Sequence, residues 1–348
     1  MADPLQRVLV VYNTDYDEEL TAASGVDVSA VEQAARAMAE GIAEFGLQAE
    51  LVGVHGRDLD ELFRRLRDAP PQLVFNACES LCGDVRNESL MPAMLDMLRI
   101  PYTGPDALAI GLCLHKDRAK DVLHAAKIST PPHVVLAGAS DLEAELALDY
   151  PFFLKLVHED ASIGIEAGNL VRDRDALRSR ARELIGKYHQ PVIAEKYIDG
   201  REVNVTVMGS ASALECLPLH EISFADMPPD RPRIVSYAAK WDEAHVDYAG
   251  TKPVPMTDVT DEVADAIRRV AIGAFRALGL RDFGRVDLRV DAAGQPWVID
   301  VNPNCDLSPD AGVARTARAA GMEYPQLLGR ICEIAWRRHA DDAAPRSR

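Results

Sequence analysis

Between positions 284 and 304 the sequence sets an arginine, two aspartates and an asparagine into two short apolar runs. These are Gly284-Arg285-Val286-Asp287-Leu288 and Val298-Ile299-Asp300-Val301-Asn302-Pro303-Asn304. Alternate residues of a strand share a face. Arg285 and Asp287 therefore point one way, and Asp300 and Asn302 point one way on the next strand. Val286, Leu288, Ile299 and Val301 take the buried side. The turn Asp291–Gly294 makes the two strands a hairpin, and in register Asp287, Asp300 and Asn302 converge. Two carboxylates and an amide are hard oxygen donors. They suit Mg2+, with Mn2+ as a substitute, because magnesium takes few protein ligands and keeps places for phosphate and water. Arg285 beside them suits charge developing on a transferring phosphoryl group or a tetrahedral oxyanion. The plain alternative is a solvated charged face, which the apolar alternation argues against.

Three lysines accompany apolar runs that read as strands: Lys116 after Ile110–Leu114, Lys155 after Phe152-Phe153-Leu154, and Lys196 after Val192–Glu195. One such lysine can snorkel to solvent; three favour an anionic ligand such as a polyphosphate. The small-residue loop Asp160-Ala161-Ser162-Ile163-Gly164 can bring backbone N–H groups onto phosphate. The GxxxxGK[ST] signature is absent, which excludes a P-loop protein.

The elements that must position these residues follow from periodicity. Arg7–Tyr12 is a buried parallel strand, and Val28, Val31, Ala35, Met38, Ile42 and Phe45 recur at helical spacing before Gly46. Strands at 50–54 and 73–76 flank a helix at 59–66, giving a parallel sheet with crossovers. Ligands gather at the carboxyl ends of such strands, so 13–19 and 76–88 are candidate loops. From Pro131 onward short strands alternate in antiparallel fashion. Residues 228–255 read as a long loop, 259–278 as a helix and 322–337 as a closing helix.

The 348 residues are 48% hydrophobic, enough for a large core, and the net charge of -17 repels nucleic acid and anionic membranes. No run reaches the roughly 18 apolar residues of a membrane span, and Met1–Arg7 lacks the pattern of a secretory leader. The six cysteines have no zinc or CxxC spacing, so they read as reduced thiols in a cytoplasmic protein.

At these residues the chain resembles the ATP-grasp superfamily, and within it the D-alanine–D-alanine ligase group, over about residues 7 to 337. The similar blocks are IPYTGPDALAIGLCLHKDRAK, PFFLKLVHEDASIGI, VIAEKYIDGREVNV, YAAKW, FGRVDLRV with VIDVNPN, and ARAAGMEYPQLLGRICEIA. The resemblance implies an α/β chain (α+β overall) with a three-domain ATP-grasp fold. Its parts would be an N-terminal Rossmann-like parallel-sheet domain at 1–110, a central ATP-grasp subdomain at 111–205 and a C-terminal catalytic domain at 206–340; the composition of the chain end, not the resemblance, reads as a disordered tail at 341–348. It implies ATP held by Lys116 and Lys155 at the phosphates, by Ser162 and Gly164 in the loop over them, by Glu195, Lys196, Tyr197 and Ile198 at adenine, and by Glu202 at ribose. Lys240 and Trp241 match a loop that closes over the nucleotide. Asp287, Asp300 and Asn302 match the magnesium ligands, and Arg285 the arginine at the tetrahedral intermediate. A homodimer is implied by the same analogy.

The likeness fails around the substrates. The loop that ends in a catalytic glutamate in true D-alanine–D-alanine ligases reads Asn13-Thr14-Asp15-Tyr16-Asp17-Glu18-Glu19; Asp17 falls nearest that glutamate, and Glu18 or Glu19 fits with a small shift. The family's His-Gly loop reads Asn76-Ala77-Cys78-Glu79-Ser80, the oxyanion glycine falls at Asp306, and the carboxylate-binding serine falls near Ala311 with Ser308 close by. Glu79 and Asp306 favour a cationic or amine-bearing substrate; their plain alternative is solvent or pairing with Arg86 or Arg315. The expected activity is ATP-dependent ligation of a small-molecule carboxylate to an amine through an acyl phosphate, on substrates other than D-alanine with D-alanine. A kinase on the same scaffold, or a genuine D-alanine–D-alanine ligase, is the alternative.

Overall fold

The computed structural model describes residues 4–15, 28–143, 149–210 and 213–343. Asp17 and Glu18 lie outside these residues, as does the expected tail from residue 344 on.

The first sheet is parallel, in the order β2-β1-β3, from β1 (Arg7–Asn13), β2 (Gln48–Val54) and β3 (Leu73–Ala77). All of β1 after Arg7 is buried, as a strand covered on both faces requires. Helix α1 (Val28–Glu44) crosses from β1 to β2, and Gly46, with φ of +107°, turns the chain out of it in a conformation that glycine tolerates. Helix α2 (Asp60–Asp68) crosses from β2 to β3. Tyr102 adds a parallel bridge to Val74 after α3 (Leu90–Leu98).

Two helices then follow, α4 (Ala107–Cys113), capped by Asp106, and α5 (Lys116–Ala125). The apolar run before Lys116 is therefore helical, and Lys116 opens a helix rather than following a strand. Seven residues are too few for period alone to separate helix from strand.

The second sheet has the order β4-β7-β5-β6, from β4 (His133–Leu136), β5 (Phe152–Leu156), β6 (Leu170–Val171) and β7 (Val192–Lys196). Between β4 and β5 lies the short α6 (Ala139–Glu143). Helix α7 (Arg174–Tyr188), capped by Asp173, packs Leu177, Ala181 and Leu184 onto this sheet.

The third sheet runs β11-β10-β8-β12-β13, with β9 also on β8. Its strands are β8 (Arg201–Ser210), β9 (Ala213–Cys216), β10 (His220–Ser223), β11 (Lys252–Pro255), β12 (Asp282–Val290) and β13 (Pro296–Asn302). The segment expected as a long loop holds α8 (Tyr237–Trp241), α9 (Val246–Gly250) and β11. Asp247 organises it, accepting from Ser236 Oγ at 2.7 Å and Arg231 Nη2 at 2.8 Å. Helix α10 (Asp261–Ala277) lays Ala264, Ile267, Ala271, Ala274 and Phe275 on the sheet, a stripe at helical spacing. After α11 (Gly312–Ala319), helix α12 (Tyr324–Ala343) packs against both the N-terminal sheet and β8, and it outlasts the expected end at Arg337.

One buried carboxylate fastens the N-terminal sheet to the third. Asp282, fully buried with φ of +66°, accepts from Arg338 Nε at 2.8 Å and Nη2 at 2.7 Å and from the Gly104 amide at 2.9 Å. Removing one partner of such a pair costs about 3–5 kcal/mol. All six cysteines are free thiols.

Candidate active site

A cavity of about 310 Å³ opens between the second and third sheets. The hairpin β12–β13 forms one wall in the expected register at its upper end: Asp287 lies opposite Asp300, and Arg285 opposite Asn302. Below Asp300 the ladder shifts at a bulge, so Ile299 leaves the alternation and lines the cavity beside Asp300. The expectation that Ile299 faces the core is corrected by that extra residue. Bulges re-aim groups at such sites, and here the Ile299 carbonyl accepts from Lys155 Nζ at 3.1 Å.

Asp287 is tied on all sides. Its Oδ1 accepts from Arg285 Nε at 2.8 Å and Asn204 Nδ2 at 2.7 Å, and its Oδ2 from Arg285 Nη2 at 2.9 Å and Asn302 Nδ2 at 3.1 Å. Burial works against the Arg285 charge, but Asp287 outweighs it and raises the guanidinium pKa. Among the described residues Asp300 accepts only from the Val301 amide, at 3.1 Å, and stands 3.8 Å from Lys116 Nζ. Burial would raise its pKa; Lys116, Lys155 and Arg285 outweigh burial and lower it. Among the described residues no three acidic, histidine or cysteine side chains cluster to hold a metal. The donor set here is two carboxylates and an amide, which fits an ion that keeps its waters and meets phosphate oxygens. Asp300 and Asn302 line the cavity, whereas both Asp287 oxygens are already taken by Arg285, Asn204 and Asn302.

The opposite wall carries the lysines. Lys116 Nζ donates to the Glu159 carbonyl at 2.6 Å and Asp160 Oδ1 at 2.8 Å. Burial disfavours its charge, and Asp160 and Asp300 more than restore it. Lys155 pairs with Glu195 Oε1 at 2.5 Å, and Lys120 Nζ reaches Glu195 Oε2 at 2.6 Å. The Glu195 carboxylate, on a strand that lines the cavity, is thus held between two lysines. Lys196 donates its side chain to the carbonyls of Asp149 and Tyr150, each at 2.8 Å, and its amide to the Pro132 carbonyl at 2.8 Å, and it lines the cavity beside Tyr197 and Ile198. Arg289 donates to Tyr197 Oη at 3.1 Å, lies over the Tyr197 ring and stands 3.5 Å from Glu202. Burial raises the Glu202 carboxyl despite Arg289.

Ala161, Ser162 and Gly164 all have left-handed φ, of +53°, +63° and +72°. Their loop is joined to the segment above it: Ser162 Oγ donates to the Val235 carbonyl at 3.2 Å, and Trp241 Nε1 to the Ala161 carbonyl at 3.2 Å. Lys240 lines the cavity beside them. Solvent still reaches its side chain, yet the protein crowded around it and the nearby Arg285 lower its pKa.

Beyond this cavity the loops after β1, β3 and β13 clasp one another. Asn13 donates to Ser80 Oγ at 2.7 Å and accepts from the Glu79 amide at 3.0 Å; Asn304 donates to the Cys78 carbonyl at 2.9 Å. Asp306 accepts from the Ser308 amide at 2.8 Å and its hydroxyl at 2.5 Å. Arg86 pairs with Asp84 and Arg315 bonds the Asp310 carbonyl; neither forms an ion pair with Glu79 or Asp306, although Asp306 acts on Arg315 at longer range. Packing, Asp306 and Asp160 push the Glu79 carboxyl up to about 7. Burial and the surrounding acids raise the Cys78 thiol well above its ordinary range, which removes it as a nucleophile.

The family described as D-ala D-ala ligase C-terminus matches residues 123–333. A D-alanine–D-alanine ligase of Dechloromonas aromatica is 32% identical over 259 residues, 74% of this chain and 79% of its own length. The chain belongs to the D-alanine–D-alanine ligase family. An uncharacterised protein, y4sG of Sinorhizobium fredii, is also 32% identical, over 77% of this chain and 75% of that protein. The fold is that of the ATP-complexed D-alanine–D-alanine ligase of Bacillus anthracis, with a TM-score of 0.72 at 21% identity over 97% of this chain and 100% of that one.

Within this ATP-grasp ligase, the structure brings together Lys116, Lys155, Lys240, Arg285, Asp287, Asp300 and Asn302, and keeps Glu79, Asp306 and Ser308 in a separate loop cluster. Sequence reasoning missed Lys120, Asn204, Arg289 and the cavity-lining Arg315. Lys120 had a signal: it stands four residues after Lys116, on the same helix face. Asn204 and Arg289 sit at alternate positions from Glu202 and Asp287, the period that marks one face of a strand.

Proposed function

We propose that this ligase joins a carboxylate to an amine through an acyl phosphate, and that its substrate pair is not D-alanine with D-alanine. The supporting observation is the convergence of Arg285, Asp287, Asp300 and Asn302 with Lys116 and Lys155 on one cavity. ATP lies with its phosphates toward the two lysines and the left-handed loop at 161–164, adenine against the backbone of 196–198 and ribose at Glu202. A substrate carboxylate oxygen attacks the γ-phosphorus while the bond to ADP breaks. The amine nitrogen then forms a bond to the acyl carbon, and phosphate leaves. Arg285 and the lysines stabilise the charge spread over the phosphoryl oxygens and the tetrahedral oxyanion. Asp287, Asp300 and Asn302 would hold magnesium, whose charge would add to the neutralisation of the phosphates. The segment carrying Lys240 and Trp241 excludes water that would hydrolyse the acyl phosphate. The family reading also carries a homodimer in the cytoplasm.

The substrate reading rests on the altered loops at 13–19, 76–80 and 304–312, in which Glu79 and Asp306 form no ion pair among the described residues. The contrary reading, a genuine D-alanine–D-alanine ligase, draws on the names of relatives near 30% identity. ADP release from the purified chain, screened against carboxylates and amines with product masses recorded, separates them. An amide product with ADP supports the ligase, and a phosphorylated product replaces it with a kinase. Turnover of D-alanine alone at a rate matching its best other pair sinks the substrate reading.

A further inference from the structure

The three charges Lys120, Glu195 and Lys155 form a buried unit beneath the cavity, none more than 7% exposed. Lys155 lies opposite Ile193 on the neighbouring strand, which makes Glu195 its diagonal neighbour on the same face. Lys120 comes from α5. It shares that helix face with Lys116 and also donates to Thr130 Oγ1 at 2.8 Å, while Thr130 donates on to the Val298 carbonyl at 2.8 Å. Glu195 therefore divides one negative charge between two cations, each within 2.6 Å. Burial lowers the Lys120 pKa and Glu195 opposes that loss; with both lysines charged the unit carries a net charge of about +1, which Lys155 brings to the cavity wall.

Without Lys120 the remaining Lys155–Glu195 pair would be neutral. It would hold Lys155 on the carboxylate and offer a polyphosphate no net attraction. We propose that Lys120 is a positioning residue for the polyphosphate of ATP: by sharing Glu195 it keeps Lys155 cationic in effect toward the nucleotide. The inference rests on the proposal that Lys155 meets the phosphates, and it assigns the Glu195 carboxylate to charge-sharing rather than to adenine.

Calorimetric titration of the full chain with adenosine, MgADP and a non-hydrolysable MgATP analogue tests it. Lys120→Met should weaken both polyphosphates about tenfold or more and leave adenosine within about twofold. Lys120→Arg should restore binding. Glu195→Gln, which removes the shared negative charge, should bind the polyphosphates as well as or better than the parent chain. A merely structural role predicts that Lys120→Met and Glu195→Gln weaken all three ligands alike, and that result overturns the inference. Unchanged polyphosphate affinity in Lys120→Met overturns it equally. Should Lys120→Met fail to fold, weaker polyphosphate binding by Glu195→Gln alone overturns it, and undiminished binding supports it. A parent chain that binds neither polyphosphate sinks the nucleotide reading itself, a result distinct from any change between variants.

Discussion

The nucleotide cavity and the substrate loops are built on opposite electrostatic plans. In the cavity each of these cations meets an acid within the protein: Arg285 meets Asp287, Lys116 meets Asp160, and Lys120 and Lys155 share Glu195, which leaves one positive charge over. In the loops, acids face acids. Glu79 feels Asp306 and Asp160, Glu88 feels Asp160 and Glu79, and among the described residues no cation lies within ion-pair distance of Glu79, Glu88 or Asp306. A paired site is assembled before its ligand comes, because paired charges cost little to hold in place. An unanswered set of like charges is stabilised by a ligand that brings the opposite sign. Under the proposed function, the contrast puts the reaction in the prearranged half and the choice of substrate in the unanswered half.

The largest effect should come from breaking the prearranged half. Arg285→Ala should lower kcat by about 10²–10³-fold, the range seen when one donor to a developing oxyanion is lost. It also strips Asp287 of its two-pronged partner. Asp300→Ala should abolish turnover under the same ADP-release assay, since Asp300 is the least encumbered oxygen donor of the three. An active Asp300→Ala enzyme would remove the metal assignment.

The second effect tests the unanswered half. Asp306→Gly should cut the preference for cationic over neutral amine acceptors by about tenfold, the lower end of what one close charge pair contributes across a binding interface. It should leave the KM for ATP unchanged. A variant that loses ATP affinity while keeping its acceptor preference would show that the two halves are not separate.

The comparison also explains what was legible in the sequence. The hairpin was readable because period-2 alternation fixes which residues share a face, and Asp287 opposite Asp300 needs only the turn at 291–294. The bulge at Ile299 was not readable, because an extra residue leaves no mark in composition. The helix under Lys116 was hidden by a short apolar run common to helices and strands, and with it went the four-residue relation to Lys120. Glu195 read as a nucleotide residue because its strand does line the cavity; only the tertiary approach of α5 shows where its carboxylate goes. The elements within 228–255 were hidden by polar composition, and they are held by one buried carboxylate, Asp247, rather than by an apolar stripe.

A pH profile sharpens the role of Glu79. Its carboxyl is raised to about 7, so it is neutral below that pH and charged above. Affinity for a cationic acceptor should therefore rise as pH increases through about 7, seen as a falling KM. Glu79→Gln should flatten that step while leaving the profile for ATP unchanged. A step that persists in the variant assigns the titration to another group.

The smallest effect should come from the lid that lies over the cavity half. Trp241 is 59% exposed, and its indole N–H donates to the Ala161 carbonyl in the loop at 160–164. Its burial is slight, so removing it costs little packing and mainly one hydrogen bond, worth about 0.5–1.5 kcal/mol. Trp241→Ala should therefore raise the KM for ATP about two- to tenfold with the melting temperature nearly unchanged. Because the same contact joins the lid to the left-handed phosphate loop, a looser lid should also admit water to the acyl phosphate. The variant should then release more ADP per amide formed, a ratio read by comparing ADP with product mass. An unchanged ratio with a raised KM would confine Trp241 to nucleotide binding and leave water exclusion to Lys240 and its neighbours.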